Sequence, residues 1–117
     1  MNKIYYLSSC STCSRILKEL DISDDFQLQD IKKDPITKEQ IEQMRALTDS
    51  YESLFSKRAM LYKELDLKNK SLTEEDYKNY ILEHYTFLKR PVILFKDSIF
   101  IGNAKKTVEA AKVTIHG

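Results

Sequence analysis

At 117 residues, with 42% hydrophobic side chains against 32% charged ones, the chain is long enough to bury one core without disulfide staples and reads as a single domain over 1–117. Its formal net charge of +1 removes the usual electrostatic ground for a nucleic acid or an anionic membrane as a direct partner. No apolar run nears the roughly 20 residues that span a bilayer, and the apolar start Met1–Leu7 is broken too soon by Ser8-Ser9-Cys10 to act as a leader, so a cytoplasmic location is expected.

Lys3–Leu7 is a short apolar run of β-formers and predicts a buried strand. A helix is expected over Ser11–Leu20, with Ile16, Leu17 and Leu20 on one face. Phe26–Gln29 alternates apolar and polar, the pattern of a half-buried second strand; strand, helix and strand form a βαβ unit whose strands run parallel. Asp34-Pro35-Ile36-Thr37 then opens a stretch of different character. Thr37 with Gln40 makes a capping box, and Ile36 with Ile41 a hydrophobic staple. Thr73 repeats the N-cap role with Leu72 facing Tyr77, and the apolar residues from Tyr51 to Leu65 fit one or two short helices between. Residues 36–87 are therefore expected to form an all-helical insertion. Strand character returns in Val92–Phe95 and Ser98–Ile101, a hairpin turning at Lys96-Asp97, and Asn103 is expected to cap a last helix running to about Lys112. The order βαβ, insertion, ββα puts residues 1–35 and 88–117 into one α/β core, a four-stranded mixed sheet with helices on its faces, which is the thioredoxin-like fold.

Cys10 and Cys13, the chain's two cysteines, fall where the first strand hands over to the first helix. Unpaired N–H groups and the positive end of the helix dipole favour a thiolate there, and Cys13, one turn on, is within reach to resolve a mixed disulfide on Cys10. Two other readings of the pair stand beside this one: half of a zinc site, for which no second CxxC exists and His84 and His116 lie far off in sequence, and two inert buried thiols. Pro91 opens the third strand, with a trans bond as the ordinary reading; a cis bond would put backbone beside Cys10. Of four arginines against fifteen lysines, Arg90 and Arg58 are candidates to hold an oxyanion or a thiolate in the planar, bidentate manner that lysine lacks; each is otherwise a solvated surface residue. His84 reads either as a general base or as a residue at a helix end.

The run Ile4-Tyr5-Tyr6 with Ser9-Cys10-Ser11-Thr12-Cys13, the insertion's Ser56-Lys57-Arg58 followed by Tyr62-Lys63-Glu64-Leu65, and Leu88-Lys89-Arg90-Pro91-Val92-Ile93 ahead of Ile101-Gly102 together resemble the arsenate reductase (ArsC)/Spx family over essentially the whole chain. The resemblance implies a thioredoxin-like fold with a helical insertion, Cys10 as nucleophile, a cis bond before Pro91, Thr12 and Pro91 as substrate-positioning residues, and Arg58 and Arg90 as the oxyanion- or thiolate-stabilising pair. In the glutaredoxin-linked members a single cysteine attacks arsenate, glutathione forms the mixed disulfide and arginines hold the oxyanion. This chain differs in two places: Gly102-Asn103 lies where a third arginine stands, and Cys13 is an additional cysteine. A CxxC with a glycine after the last strand resembles Spx, a redox-sensing regulator that binds RNA polymerase.

Two functions are thus expected. The first is a thiol-dependent oxidoreductase with no bound cofactor or metal. It acts on a small oxyanion or a thiol/disulfide substrate, and Cys13, or glutathione, glutaredoxin or thioredoxin as electron donor, completes the reduction. The alternative is an Spx-like regulator whose Cys10–Cys13 state alters its affinity for the RNA polymerase α subunit. Spx-type proteins carry a basic tail beyond the last helix, and an end at Ile115-His116-Gly117 favours the first expectation.

Overall fold

A computed structural model describes residues 1–117 and divides them into two compact units, Met1–Asp34 with Arg90–Gly117, and Pro35–Lys89. The first unit contains β1 (Asn2–Tyr6), α1 (Ser11–Leu20), β2 (Gln27–Asp30), β3 (Val92–Phe95), β4 (Ser98–Ile101) and a terminal helix. The strands form one mixed sheet in the order β2-β1-β3-β4; β1 runs parallel to β2 and antiparallel to β3, and β3 and β4 are antiparallel. The register sets Ile4 beside Leu28 on one side and Ile93 on the other.

Ile4 and Ile93 share a core with Ile16, Leu20, Phe26, Val108 and Ala111. Ile16 and Leu20 are four residues apart on α1 and so fall on one helix face. Each is fully buried, which contributes about 1.5–3 kcal/mol per side chain. The helix ends at Asp21, whose backbone is left-handed (φ 48°) and whose N–H donates to Lys18 O at 3.3 Å. The two-residue hairpin turn is made possible by a left-handed Lys96 (φ 54°).

Three sequence expectations shift here. The second strand begins one residue late, because Phe26 sits on a turn, its N–H donating to Ser23 O, and its ring stacks on Phe95 at 6.0 Å. Its alternation is also inverted beyond that point: Leu28 lies on an edge strand and stays 49% exposed, whereas Gln29 is buried and donates from its side-chain amide to Asp34 O at 2.9 Å. Asn103 does not cap the last helix. Ala104 does, with extended backbone and no side-chain bond, and the helix runs Lys105–His116, past Lys112, because Ile115 still packs on the core. This last helix is α5, preceded in the chain by three helices of the other unit.

Those are α2 (Lys38–Ala46), α3 (Met60–Glu64) and α4 (Glu74–Glu83), with single 3-10 turns at Glu52–Leu54, Leu67–Asn69 and Tyr85–Phe87. Both capping boxes form, Thr37 with Gln40 and Thr73 with Asp76, each pairing two otherwise orphaned groups. Lys78 on α4 bridges to Glu42 on α2 at 2.9 Å. The core of this unit is aromatic: Phe55 stacks on Phe87 at 5.1 Å and meets Tyr77 and Tyr62 edge-on at 4.9 and 6.0 Å. The unit holds no strand; its one pairing of extended backbone is Phe55 with Leu88. His84 ends α4, and its Nδ1 accepts from Thr86 N–H at 3.3 Å, so the ring serves as a cap. No helix is long and apolar enough to cross a membrane.

One buried group stands against the packing. Tyr5 is wholly buried, its hydroxyl takes no hydrogen bond, and burial pushes its pKa up to about 12. A buried unpaired hydroxyl costs about 1–3 kcal/mol. Tyr5→Phe keeps the ring and removes the unpaired group, so the expected result is a gain of about 1 kcal/mol in unfolding free energy, read as a higher urea midpoint with an unchanged slope. A lower midpoint would mean that the hydroxyl has a partner in solution.

Candidate active site

β1 leads straight into a three-residue exit, Leu7-Ser8-Ser9, that ends at Cys10. The exit is a turn closed by Cys10 N–H donating to Leu7 O at 3.0 Å, and α1 starts as Ser14 N–H donates to Cys10 O at 3.2 Å. Cys10 is thus the N-cap of α1, with extended backbone and no side-chain capping bond. Ser8 is tied to the neighbouring parallel strand: its Oγ donates to Asp30 Oδ2 at 2.5 Å and its N–H to Asp30 Oδ1 at 3.4 Å. Asp30 also accepts from Lys32 N–H at 3.3 Å. The Ser8 hydroxyl holds the Asp30 carboxyl below its ordinary pKa, against the opposing effect of desolvation and with help from the backbone N–H groups of Lys32 and Ser8 and the charge of Lys33.

The two sulfurs are free thiols in very different surroundings: Cys10 is half-buried and Cys13 wholly buried. Desolvation is the largest single influence on Cys10 and disfavours its anion. It is outweighed together by the Cys13 N–H, the Cys13 thiol, the Thr12 N–H and the Arg90 guanidinium, so the Cys10 thiol is held below its ordinary pKa. The favourable amides belong to the second and third residues of α1, the donors that an N-cap side chain faces. At Cys13 burial dominates and pushes the thiol up to about 11; the Cys10 sulfur adds to this, and the Leu7 backbone and Arg90 only partly offset it.

Arg90 enters from the start of β3. Since Tyr5 pairs with Val92, Pro91 lies next to the end of β1, where the exit to Cys10 begins. The Arg90–Pro91 bond is cis. Pro91 O accepts from Gly102 N–H at 2.9 Å, and Gly102 is left-handed (φ 92°), a backbone that suits glycine. Of the residues singled out in the sequence, Cys10, Thr12, Cys13, Arg90 and Pro91 therefore belong to one unit, and Cys10, Thr12, Cys13 and Arg90 act on one another electrostatically. Arg58 belongs to the other unit, exposed just ahead of α3. No group of three or more His, Cys, Asp and Glu side chains is arranged to hold a metal ion. Ser8 and Asp30 were not visible as site residues in the sequence: their link follows from strand register, which no motif spells out.

Opposite shifts have a measurable consequence. Alkylation by iodoacetamide requires the thiolate, so Cys10 is expected to react with a midpoint below the roughly 8.5 of a free cysteine, and Cys13 to stay inert until pH nears 11. Stability should follow Cys13 in the same range. Its folded pKa lies above the unfolded one, so above about pH 8.5 the native chain binds the proton that the unfolded chain has lost. Stability of the reduced protein is then lost as pH rises from about 8.5 toward 11, the Cys13 value. Equal alkylation midpoints at the two sulfurs would contradict this geometry.

The ArsC family model matches residues 5–111, and the chain belongs to the ArsC family. Its sequence is 26% identical over 106 residues to the global transcriptional regulator Spx of Bacillus subtilis (strain 168), covering 87% of this chain and 79% of that protein. Among solved structures it is similar to an ArsC family related protein from Bacteroides fragilis (TM-score 0.78, 23% identity, 94% of this chain and 96% of the other). It is also similar to an arsenate reductase from Vibrio cholerae (TM-score 0.77, 18% identity, 97% and 96%). At such identities the structural matches establish the fold, which is the thioredoxin-like α/β arrangement with a mixed four-stranded sheet.

Proposed function

We propose that the chain, as a single ArsC-like domain over 1–117, is a thiol-dependent oxidoreductase in which Cys10 is the nucleophile and Cys13 the resolving thiol. The observation that carries this reading is the split between the two sulfurs, one held toward its anion at a helix start and the other kept protonated by burial.

With a disulfide substrate the steps balance as follows. The Cys10 thiolate attacks one sulfur, forming a mixed disulfide, and the other sulfur leaves as a thiolate that takes a proton from water. Cys13 then loses its proton and attacks the Cys10 sulfur. This expels the second substrate thiolate and leaves a Cys10–Cys13 disulfide. Two electrons have passed to the substrate, and an external thiol (glutathione, glutaredoxin or thioredoxin) returns them. Protonated Cys13 suits the resolving role: its charge would otherwise repel the Cys10 thiolate, and it becomes a nucleophile only after Cys10 is consumed. Arg90 is assigned to the negative charge at Cys10 and to an oxyanion if the substrate is one; Thr12 and Pro91 are assigned to positioning. Arg58 enters on the family resemblance alone. With arsenate, the Cys10 thiolate would bond to arsenic with loss of water, and attack of glutathione or Cys13 on the Cys10 sulfur would then release arsenite and leave a disulfide, the two thiols supplying the two electrons.

The alternative, an Spx-like regulator that binds RNA polymerase, is favoured by the likeness to Spx over most of both chains. The experiment that separates them sets reduction of a small disulfide and of arsenate, with glutathione–glutaredoxin or thioredoxin as donor, beside retention of the chain on immobilised RNA polymerase α subunit. Turnover with no retention supports the reductase. Retention that depends on the redox state of Cys10–Cys13, without turnover, would replace it by the regulator.

A further inference from the structure

We infer that Asp30, through Ser8, is a positioning residue for the Cys10 sulfur: the carboxylate at the end of β2 fixes the β1 exit in the geometry that aims the sulfur at the α1 amides. The inference rests on the reading of Cys10 as the nucleophile and assigns a role to two residues outside its first contacts. Only Ser9 separates Ser8 from Cys10, and this short segment has few other ties. Cys10 N–H is bonded to Leu7 O at 3.0 Å, which closes the turn upon itself and does not fix it to the sheet. Ser8 supplies that fixation. Its hydroxyl and its N–H both donate to the two oxygens of one carboxylate, at 2.5 and 3.4 Å. That residue's backbone is in turn tied down, and one oxygen of its carboxylate has a further bond. Asp30 ends a strand whose ladder is completed by Ile31 N–H donating to Tyr6 O at 2.9 Å, and Asp30 Oδ1 and O also receive the N–H groups of Lys32, Lys33 and Asp34.

The energetic logic is that of preorganisation. The amides of Thr12 and Cys13 favour the Cys10 thiolate only while the sulfur stays near them, and a hydrogen bond to sulfur is weak and steeply geometric. An exit free to swing would let the sulfur leave the helix start, and its acidity would drift toward that of a free cysteine. Asp30 has a second, opposite effect open to it, since a negative charge near a thiol disfavours the thiolate. The two effects have different signs, and this makes the role separable from that of a bystander charge.

The test reads Cys10 directly, as the pH midpoint of iodoacetamide alkylation resolved from Cys13 by fragment mass spectrometry. The variants are Ser8→Ala, Asp30→Ala and Asp30→Asn. If Asp30 acts by fixing the exit, Ser8→Ala and Asp30→Ala each raise the midpoint by about half a unit to one unit, a roughly three- to tenfold loss of thiolate at neutral pH. The double variant then adds little to either. Asp30→Asn recovers part of the loss, because its amide oxygen still accepts from the Ser8 hydroxyl. Asp25→Ala serves as a control, its carboxylate accepting from Asn2 at the opposite end of β1 and from Ser23, and it leaves the midpoint in place. A midpoint that falls in both Asp30 variants and not in Ser8→Ala would mean a bystander charge and overturn the inference. So would unmoved midpoints with a lower melting temperature, the mark of a purely structural bond. Ser8 is exposed, so Ser8→Ala keeps the test open should Asp30→Ala fail to fold. A wild-type midpoint equal to that of free cysteine would instead sink the nucleophile reading, which keeps the two failures apart.

Discussion

Cys10→Ser is expected to lower disulfide reduction by at least about a thousandfold, the scale on which removal of a covalent nucleophile is felt, while leaving the fold at least as stable. The two halves of this result come from the same position. A serine hydroxyl remains protonated at neutral pH and forms no disulfide, so neither the attack nor the mixed intermediate is available. Yet position 10 is the N-cap of α1, where the cysteine makes no capping bond, and serine is among the preferred residues. Its oxygen is placed to accept from the Thr12 or Cys13 N–H, a gain of up to about 1 kcal/mol. Loss of turnover with an equal or higher melting temperature is thus the signature expected. Loss of turnover with a collapsed melting temperature would say only that the chain unfolded. Residual activity within a few-fold of wild type would remove Cys10 from the chemistry.

Cys13→Ser has a different expected outcome. It spares the first attack and blocks resolution within the chain, so the mixed disulfide between Cys10 and the substrate thiol accumulates and is seen as added mass under non-reducing conditions. Turnover then depends on the external thiol. The change also costs stability, since Cys13 is wholly buried and a hydroxyl in that setting needs a partner that sulfur did not.

What the sequence disclosed and what it hid divide along physical lines. α1, β3 and β4 were legible to the residue, because each is an apolar run or face bounded by a strong local signal: the Ser8-Ser9 break, Pro91, the Lys96-Asp97 turn. The two capping boxes are local in the same sense, being settled within four residues. β2 misled because apolar alternation tells which face is buried only where that face is covered, and Leu28, in register with fully buried Ile4, is left uncovered at the sheet's edge. On an edge, Leu28 can face water while Gln29 goes inward to a carbonyl. The start of α5 was misplaced for a related reason: Asn103 has the better capping chemistry, but the backbone turns one residue later, at Ala104. In the site, strand–CxxC–helix was enough to single out Cys10 and Cys13. It could not say that the second thiol would be wholly buried and the first only half so, and that difference in depth pulls their acidities apart. The Ser8–Asp30 tie joins residues 22 positions apart and exists only because parallel strands end side by side.

The largest expected loss of stability from a single change is at Phe55. Its ring is 1% exposed and has four aromatic neighbours: Phe87 in a stack, Tyr77 and Tyr62 edge-on, and Tyr80 tilted at 6.5 Å. Truncation to alanine removes the transfer energy of the ring and leaves a cavity, together about 3–5 kcal/mol, and each lost aromatic pair adds to the area term. The backbone around it raises the sensitivity. Ser56 N–H donates to Phe87 O at 2.7 Å and Lys89 N–H to Leu54 O at 2.9 Å, so the ring sits where the backbone at residues 54–56 is bonded to that at residues 87–89, which closes the unit. A unit without strands relies on such a centre, because short helices such as α3, which buries none of its residues, have little stability of their own. Against a typical total of about 5–15 kcal/mol, Phe55→Ala should move the urea midpoint by about a fifth of its value or more. Phe55→Leu should move it less, and Met60→Ala, at a side chain 76% exposed, by no more than about 0.5 kcal/mol in equivalent terms. If Phe55→Ala and Met60→Ala shift the midpoint alike, the aromatic cluster is not what holds these helices together.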